Sequence, residues 1–301
     1  MPNVNINGQV IEYESLGSAS SPTILLIMGL GMQLTNWPDA FCQRLVDAGF
    51  RVIRFDNRDI GLSGKVHVGR RMNMKLALLA AFLKLPVRAP YLLDDMVVDT
   101  VGLLDALDIK SAHVVGASMG GMIAQLMAAH HPTRVSSLTS VMSSSGNRRA
   151  HRGTPEAMRV LMARPTDPSN VNSVIEHTMK IYSVIGSPGY PQHKDELRAR
   201  ITRNFNRSYH PAGTARQLLA IMASGDRRAL LQKISAPTLV IHGADDKLVP
   251  VAAGRDTAQH IKGAKLQIVP GMGHDLPPGL QPILADAIAA HCAQHSVKDA
   301  A

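Results

Sequence analysis

Cysteine, aromatic residues and long apolar runs are all scarce in this chain, and each shortage removes a class of protein. Its 301 residues include two cysteines, Cys42 and Cys292, far apart in sequence. That is too few for a disulfide framework, and no Cys/His cluster has zinc spacing. The pair reads as free thiols of a cytoplasmic protein. Aromatics make up 4% of the chain, and no module of stacking platforms appears. The net charge of +9 therefore does not mark a nucleic-acid binder. No apolar run approaches the roughly 18 residues that span a bilayer. The longest apolar helical patch, Met72 to Leu85, is interrupted by Lys75 and Lys84 and stopped by Pro86. Met1-Pro2-Asn3-Val4-Asn5 has neither the basic start nor the apolar core of a secretory leader. His130-His131 precedes Pro132 and reads as a solvated helix end rather than a ligand pair.

What is present suits a globular enzyme. Hydrophobic residues are 45% and charged residues 18%, enough apolar content for one large domain or one domain with an insertion. The basic excess is local. Residues 147–233 carry 12 arginines and 3 lysines against 6 acids, while the remainder holds 17 basic and 17 acidic residues. The segment reads as a solvated, arginine-rich helical surface; the alternative reading is attraction of anionic substrates or products.

Hydrophobic periodicity sets the organisation. Asn3 to Tyr13 alternates around Asn7-Gly8, which predicts a hairpin. Thr23 to Met28 is continuously apolar, as in a strand covered on both faces. A helix from Trp37-Pro38 to Ala48, a strand at Arg51 to Phe55, a Met/Leu-rich helix at Met72 to Leu85 and a helix at Leu92 to Leu107 follow. Then come a strand at His113 to Ala117, a helix at Gly120 to His130 and a strand at Val135 to Met142. Alternating strand and helix predicts βαβ units and a mostly parallel sheet. The rhythm breaks at Ser143-Ser144-Ser145-Gly146 and resumes with strands at Pro237 to Gly243 and Lys265 to Val269 and a helix at Leu280 to His295. Residues 1–146 and 234–301 are thus expected to form one α/β core, and 147–233 a helical cap inserted between two of its strands.

Within the core, Gly116-x-Ser118-x-Gly120 fits a nucleophile elbow, a serine on a tight strand-to-helix turn. A chain of this length shows that spacing by chance about one time in ten, so its context decides. A serine nucleophile needs a base, an acid to orient it, and two N–H donors for the oxyanion. The base with the right chain order and a glycine-rich loop is His274, in Pro270-Gly271-Met272-Gly273-His274-Asp275. His113 and His242 lie on or beside strands and read as core histidines, and Asp275 as structural. The acid lies in Gly243-Ala244-Asp245-Asp246, directly after a strand, where open α/β sheets place their sites. Asp245 and Asp246 compete. The oxyanion donors are Met119 N–H, next to the nucleophile, and Leu30 N–H, in the turn after the first buried strand.

In Met28-Gly29-Leu30-Gly31, Asn36-Trp37-Pro38, Asp56-Asn57-Arg58-Asp59-Ile60-Gly61-Leu62-Ser63, Gly116-Ala117-Ser118-Met119-Gly120-Gly121, Asp246-x-x-Val249-Pro250 and Gly271-Met272-Gly273-His274 the chain resembles α/β-hydrolase fold serine esterases. The matches span nearly everything outside the cap. The resemblance selects Asp246 over Asp245 and implies a mostly parallel central sheet, flanking helices and a helical cap. It also implies a Ser118-His274-Asp246 triad, no cofactor and no metal. Most members carry His-Gly where this chain has Met28-Gly29. The Met-Gly form resembles a bacterial carboxylesterase subgroup with anthracycline methylesterases and esterases active on polyesters such as polylactate. The implied activity is hydrolysis of small to medium apolar esters through an acyl-enzyme. Gly29, Trp37, Met142 and Leu248 are candidate substrate contacts. A cofactor-free perhydrolase, a carbon–carbon bond hydrolase and a ligand receptor on a hydrolase core are the rival readings. The expected partner is a small or polymeric ester, not nucleic acid or a spanned membrane, and a homo-oligomer is left open.

Overall fold

Residues 2–67, 76–77, 80, 83, 85–147 and 152–296 are described by the computed structural model. The expected Met72–Leu85 helix lies largely outside them. At the N-terminal edge, β1 (Asn3–Ile6) and β2 (Gln9–Leu16) pair antiparallel. Asn7 (φ 51°) and Gly8 (φ 85°) both take positive φ, as a type I′ hairpin turn requires. The remaining strands are β3 (Thr23–Ile27), β4 (Arg51–Phe55), β5 (Ala112–Ala117), β6 (Val135–Val141), β7 (Thr238–Gly243) and β8 (Lys265–Val269). The sheet order is β1-β2-β4-β3-β5-β6-β7-β8, and every pairing from β4 to β8 is parallel.

Both faces of the sheet are covered, because side chains alternate along each strand. In β3, Leu25 and Ile27 pack with Leu103, Leu104, Ile123 and Met127 on one side. These come from α2 (Leu93–Ala106) and α3 (Met119–His130). Ile24 and Leu26 pack on the other side with Phe41, Leu45, Leu284 and Ile288, from α1 (Asp39–Asp47) and α10 (Gln281–Gln294). All five β3 residues are buried, which is why its sequence reads as an unbroken apolar run. A further helix, α9 (Val251–His260), joins β7 to β8.

Between β6 and β7 the described residues form helices and no strand: α4 (Pro155–Met162), α5 (Val171–Ile185), α6 (Lys194–Arg207), α7 (Pro211–Ser224) and α8 (Arg228–Leu231). The arginines of this segment are not all solvated. Arg207 pairs with Asp56 at 2.7 Å and Arg216 with both oxygens of Asp59, and their side chains are 13% and 11% exposed. Arg227 is buried and donates to the carbonyls of Gly225 and Ser144. The physical reason lies in the core. Asp56 and Asp59, just past β4, are fully buried, and a buried carboxylate needs a partner. The helical segment supplies it.

Candidate active site

The candidate residues converge at the C-terminal edge of the sheet. Ser118 follows β5 directly and adopts φ 55°, ψ −118°, a strained conformation for a residue with a side chain. The turn closes only because its flanking glycines lack Cβ. A Cβ on Gly116 would lie 2.1 Å from Gly120 O, and one on Gly120 would lie 2.0 Å from Ile27 O. The serine is fixed by its N–H to Val141 O (2.9 Å) and by Ser143 Oγ, which donates to Ser118 O at 2.7 Å.

His274 Nε2 lies 3.0 Å from Ser118 Oγ, and its Nδ1 lies 2.7 Å from Asp246 Oδ2. Asp246 is buried, and its other oxygen accepts the N–H groups of Leu248 (2.9 Å) and Val249 (2.8 Å). Asp245 points elsewhere: its carboxylate accepts Gly271 N–H at 2.9 Å and so ties together the loops after β7 and β8. His242 is a buried core histidine, as expected, with Nε2 2.8 Å from Val249 O and 3.7 Å from Asp246 Oδ2.

The loop carrying His274 is held from the helical segment. His274 N–H donates to Ile185 O at the end of α5 (2.7 Å), and Gly273 N–H donates to Ser187 Oγ (2.9 Å). Asp275 accepts from Ser187 N–H, Ser187 Oγ and Gln192 Nε2. Burial raises its carboxyl above the ordinary range, and the Ser187 and Gln192 hydrogen bonds pull the other way.

Opposite the serine lies the Gly29–Gly31 turn. Among the described residues neither Leu30 N–H nor Met119 N–H has a protein acceptor, whereas Gly31 N–H donates to Gln217 Oε1 at 2.9 Å. Gln217, on α7, is fully buried, and its Nε2 donates to Arg58 O at 3.0 Å. Asn57 Nδ2 donates to Met28 O at 2.9 Å. Gly29 sits against the serine: a Cβ there would lie 3.2 Å from Ser118 Cβ. Trp37 is placed in the core, 1% exposed and stacked on Phe41 with centroids 5.2 Å apart. Met142 is also buried, and Leu248 is partly exposed. Gln217, Ser187 and Ser143 were not singled out from the sequence. No motif marks them, because their roles depend on chain segments 25 to 186 residues away. Among the described residues no group of three or more His, Cys, Asp or Glu is arranged to hold a metal ion.

A family model for the alpha/beta hydrolase fold matches residues 22–277. The chain belongs to the α/β-hydrolase family. It is 28% identical to the rhodomycin D methylesterase DnrP of Streptomyces peucetius, over 92% of this chain and 93% of that one. A 2-hydroxy-6-oxononadienedioate/2-hydroxy-6-oxononatrienedioate hydrolase of Cupriavidus pinatubonensis is also 28% identical, over 85% of this chain and 81% of that one. Among solved structures, the enol-lactonase of Burkholderia xenovorans LB400 superposes with a TM-score of 0.74 at 23% identity. It covers 97% of this chain and 100% of its own. At that identity the likeness speaks for the fold alone. The protein is an enzyme of this hydrolase family with esterase relatives. No helix among the described residues is long and apolar enough to cross a membrane.

Proposed function

We propose that the protein is a serine carboxylesterase acting on small to medium apolar esters. The observation that carries the proposal is the continuous hydrogen-bonded row from Asp246 through His274 to Ser118, with the serine on a strained elbow. His274 Nε2 takes the Ser118 proton as Oγ bonds to the ester carbonyl carbon. Asp246 holds the imidazole tautomer and stabilises the imidazolium. Leu30 and Met119 N–H groups donate to the oxyanion, the second from the N-terminus of α3, where the helix dipole favours negative charge. Collapse breaks the carbon–alkoxy bond, and His274 returns the proton to the leaving alcohol. Water then gives a proton to His274 and its oxygen to the acyl carbon, which frees the acid and restores Ser118.

In this proposal residues 1–146 and 234–301 form the catalytic core and 147–233 a cap over its C-terminal edge. Two free, buried thiols fit a cytoplasmic setting. The resemblance to polyester-active esterases extends the proposal to polylactate. A second reading, carbon–carbon bond hydrolysis with the same three residues, is favoured by the 28% identity to the dienedioate hydrolase.

The test is a series of p-nitrophenyl esters of graded acyl length, with emulsified polylactate and a 2-hydroxy-6-oxodienoate as further substrates. Turnover highest on short to medium acyl chains is expected. A folded protein inactive on every ester overturns the esterase proposal, and turnover of the dienoate alone establishes the second reading.

A further inference from the structure

A cavity of about 140 Å³ lies between the Gly31–Gln33 turn and helices α5 and α6. A space of this size holds one benzene-sized ring when its walls are apolar. Val174, Tyr182, Ile201 and Phe205 supply such walls from the helices, and Met32 and Ile60 from the core. One wall is cationic. Arg200 lines the cavity, and its guanidinium sits over the Tyr182 ring at 5.5 Å. It donates to the neutral Gln192 Oε1 at 3.1 Å, bonds the Tyr182 side chain, and helps hold down the Asp275 carboxyl through space without bonding it. The nearest acid on that path, Asp275, lies beyond Gln192, whose Nε2 donates to Asp275 Oδ2. Arg200 thus differs from Arg207 and Arg216, each of which bonds directly to a core carboxylate.

Two links along the chain relate this cavity to the candidate catalytic residues. Gly31 is the next residue after Leu30. Tyr182 lies one helical turn before Ile185, whose carbonyl holds the His274 N–H. The cavity has a side, too. A leaving alcohol must lie within reach of His274 to be protonated. The cavity is lined by the Gly31–Gln33 turn and by no residue of the His274 loop, which suits an acyl group better than a leaving alcohol.

We propose that this cavity is the acyl subsite for a compact ring-sized or short-chain acid that carries an anionic group, read by Arg200. The substrate class is then monoesters of small diacids. The proposal rests on the esterase reading of the same site. A planar guanidinium suits it, because Arg meets carboxylate with two parallel hydrogen bonds and loses little rotamer freedom in doing so. The local excess of positive charge in residues 147–233 draws such a substrate toward the site.

The experiment compares monomethyl terephthalate with methyl benzoate, which has the same ring and no second carboxylate, and uses p-nitrophenyl acetate as a reference ester. We expect kcat/KM about tenfold or more higher for the anionic ester, since a site built to bond a group discriminates against the analogue lacking it. Arg200→Gln should cut the anionic-to-neutral ratio to within about threefold of one, and Arg200→Lys should recover part of it, since a point charge keeps the attraction and loses the two-point geometry. Val174→Phe fills the cavity and should depress both ring esters about tenfold relative to p-nitrophenyl acetate, the scale of a misfit in a packed pocket. Equal rates for the two ring esters, or an Arg200→Gln loss equal on both, overturns the subsite while p-nitrophenyl acetate turnover keeps the esterase reading. Inactivity of the folded wild type on all three overturns the esterase reading itself.

Discussion

Asp245 and Asp246 are adjacent, equally acidic by type, and do different things. Asp246 is turned into the sheet edge, bonded to His274 and to two backbone N–H groups. Asp245 is exposed and accepts one N–H from the neighbouring loop. Asp246→Asn should therefore lower kcat about 10⁴-fold, the scale of losing the imidazole's tautomer control, whereas Asp245→Asn should cost less than about tenfold, as expected for an exposed turn contact. Ester turnover of both variants, with folding checked by circular dichroism, decides it. If Asp245→Asn shows the larger loss, the acid is misassigned.

At the scale of the element, α7 couples the helical segment to the core through successive residues, at Asp59 and at the Gly29–Gly31 turn. Arg216 neutralises Asp59, whose carboxyl is subject to burial, which raises it, but is held below its ordinary value by Arg216, Val66 N–H and Tyr91. Arg216→Met leaves that carboxylate buried without its cation and should cost about 3–5 kcal/mol of stability. Adding Asp59→Asn should return part of the loss, measured by urea unfolding as a double-mutant cycle. Gln217 holds Gly31 N–H, next to the proposed oxyanion donor Leu30. Gln217→Leu should lower kcat about 10- to 100-fold, below the full cost of a lost oxyanion donor, with KM changed little. Gln217→Glu, which still accepts from Gly31, should recover part of kcat. A fall in stability with kcat unchanged would make Gln217 a packing residue only.

Across the whole molecule, charge and protonation act at opposite ends. The basic excess of the chain lies in residues 147–233; on the steering proposal, raising salt through the range where the Debye length falls below about 10 Å should lower kcat/KM for anionic esters more than for neutral ones. Equal responses would remove electrostatic steering. At the other end, His113 is buried between Ser137 and Ser296, near His291 and His295. Burial first, and those two histidines second, lower its pKa from 6.5 to about 4. The unfolded chain takes up that proton below about pH 6.5 and the folded chain only near pH 4. The stability it contributes is therefore complete above pH 6.5 and is lost as pH falls toward 4. The fall in melting temperature from pH 7 to pH 5 should shrink in His113→Gln, and an unchanged slope would show that other groups carry it.

The sequence by itself determined the order of the strands, because period-2 and continuous apolar patterns are local, but it missed the helix Val251–His260 between β7 and β8. It also determined the elbow, because Gly116 and Gly120 stand where the turn leaves no room for a Cβ. Ser118, His274 and the Asp245-Asp246 pair were legible because each lies on the loop or turn that follows a strand, and strand ends share one edge. The tertiary structure decided what depends on direction. Asp246 Oδ2 faces His274 and Asp245 does not. Trp37 lies in the core. Arg207 and Arg216 turn inward to buried carboxylates rather than outward to water. Gln217 reaches a turn 186 residues earlier in the chain. A side chain's direction is set by the packing of segments distant in sequence, and that information is not contained in any local pattern.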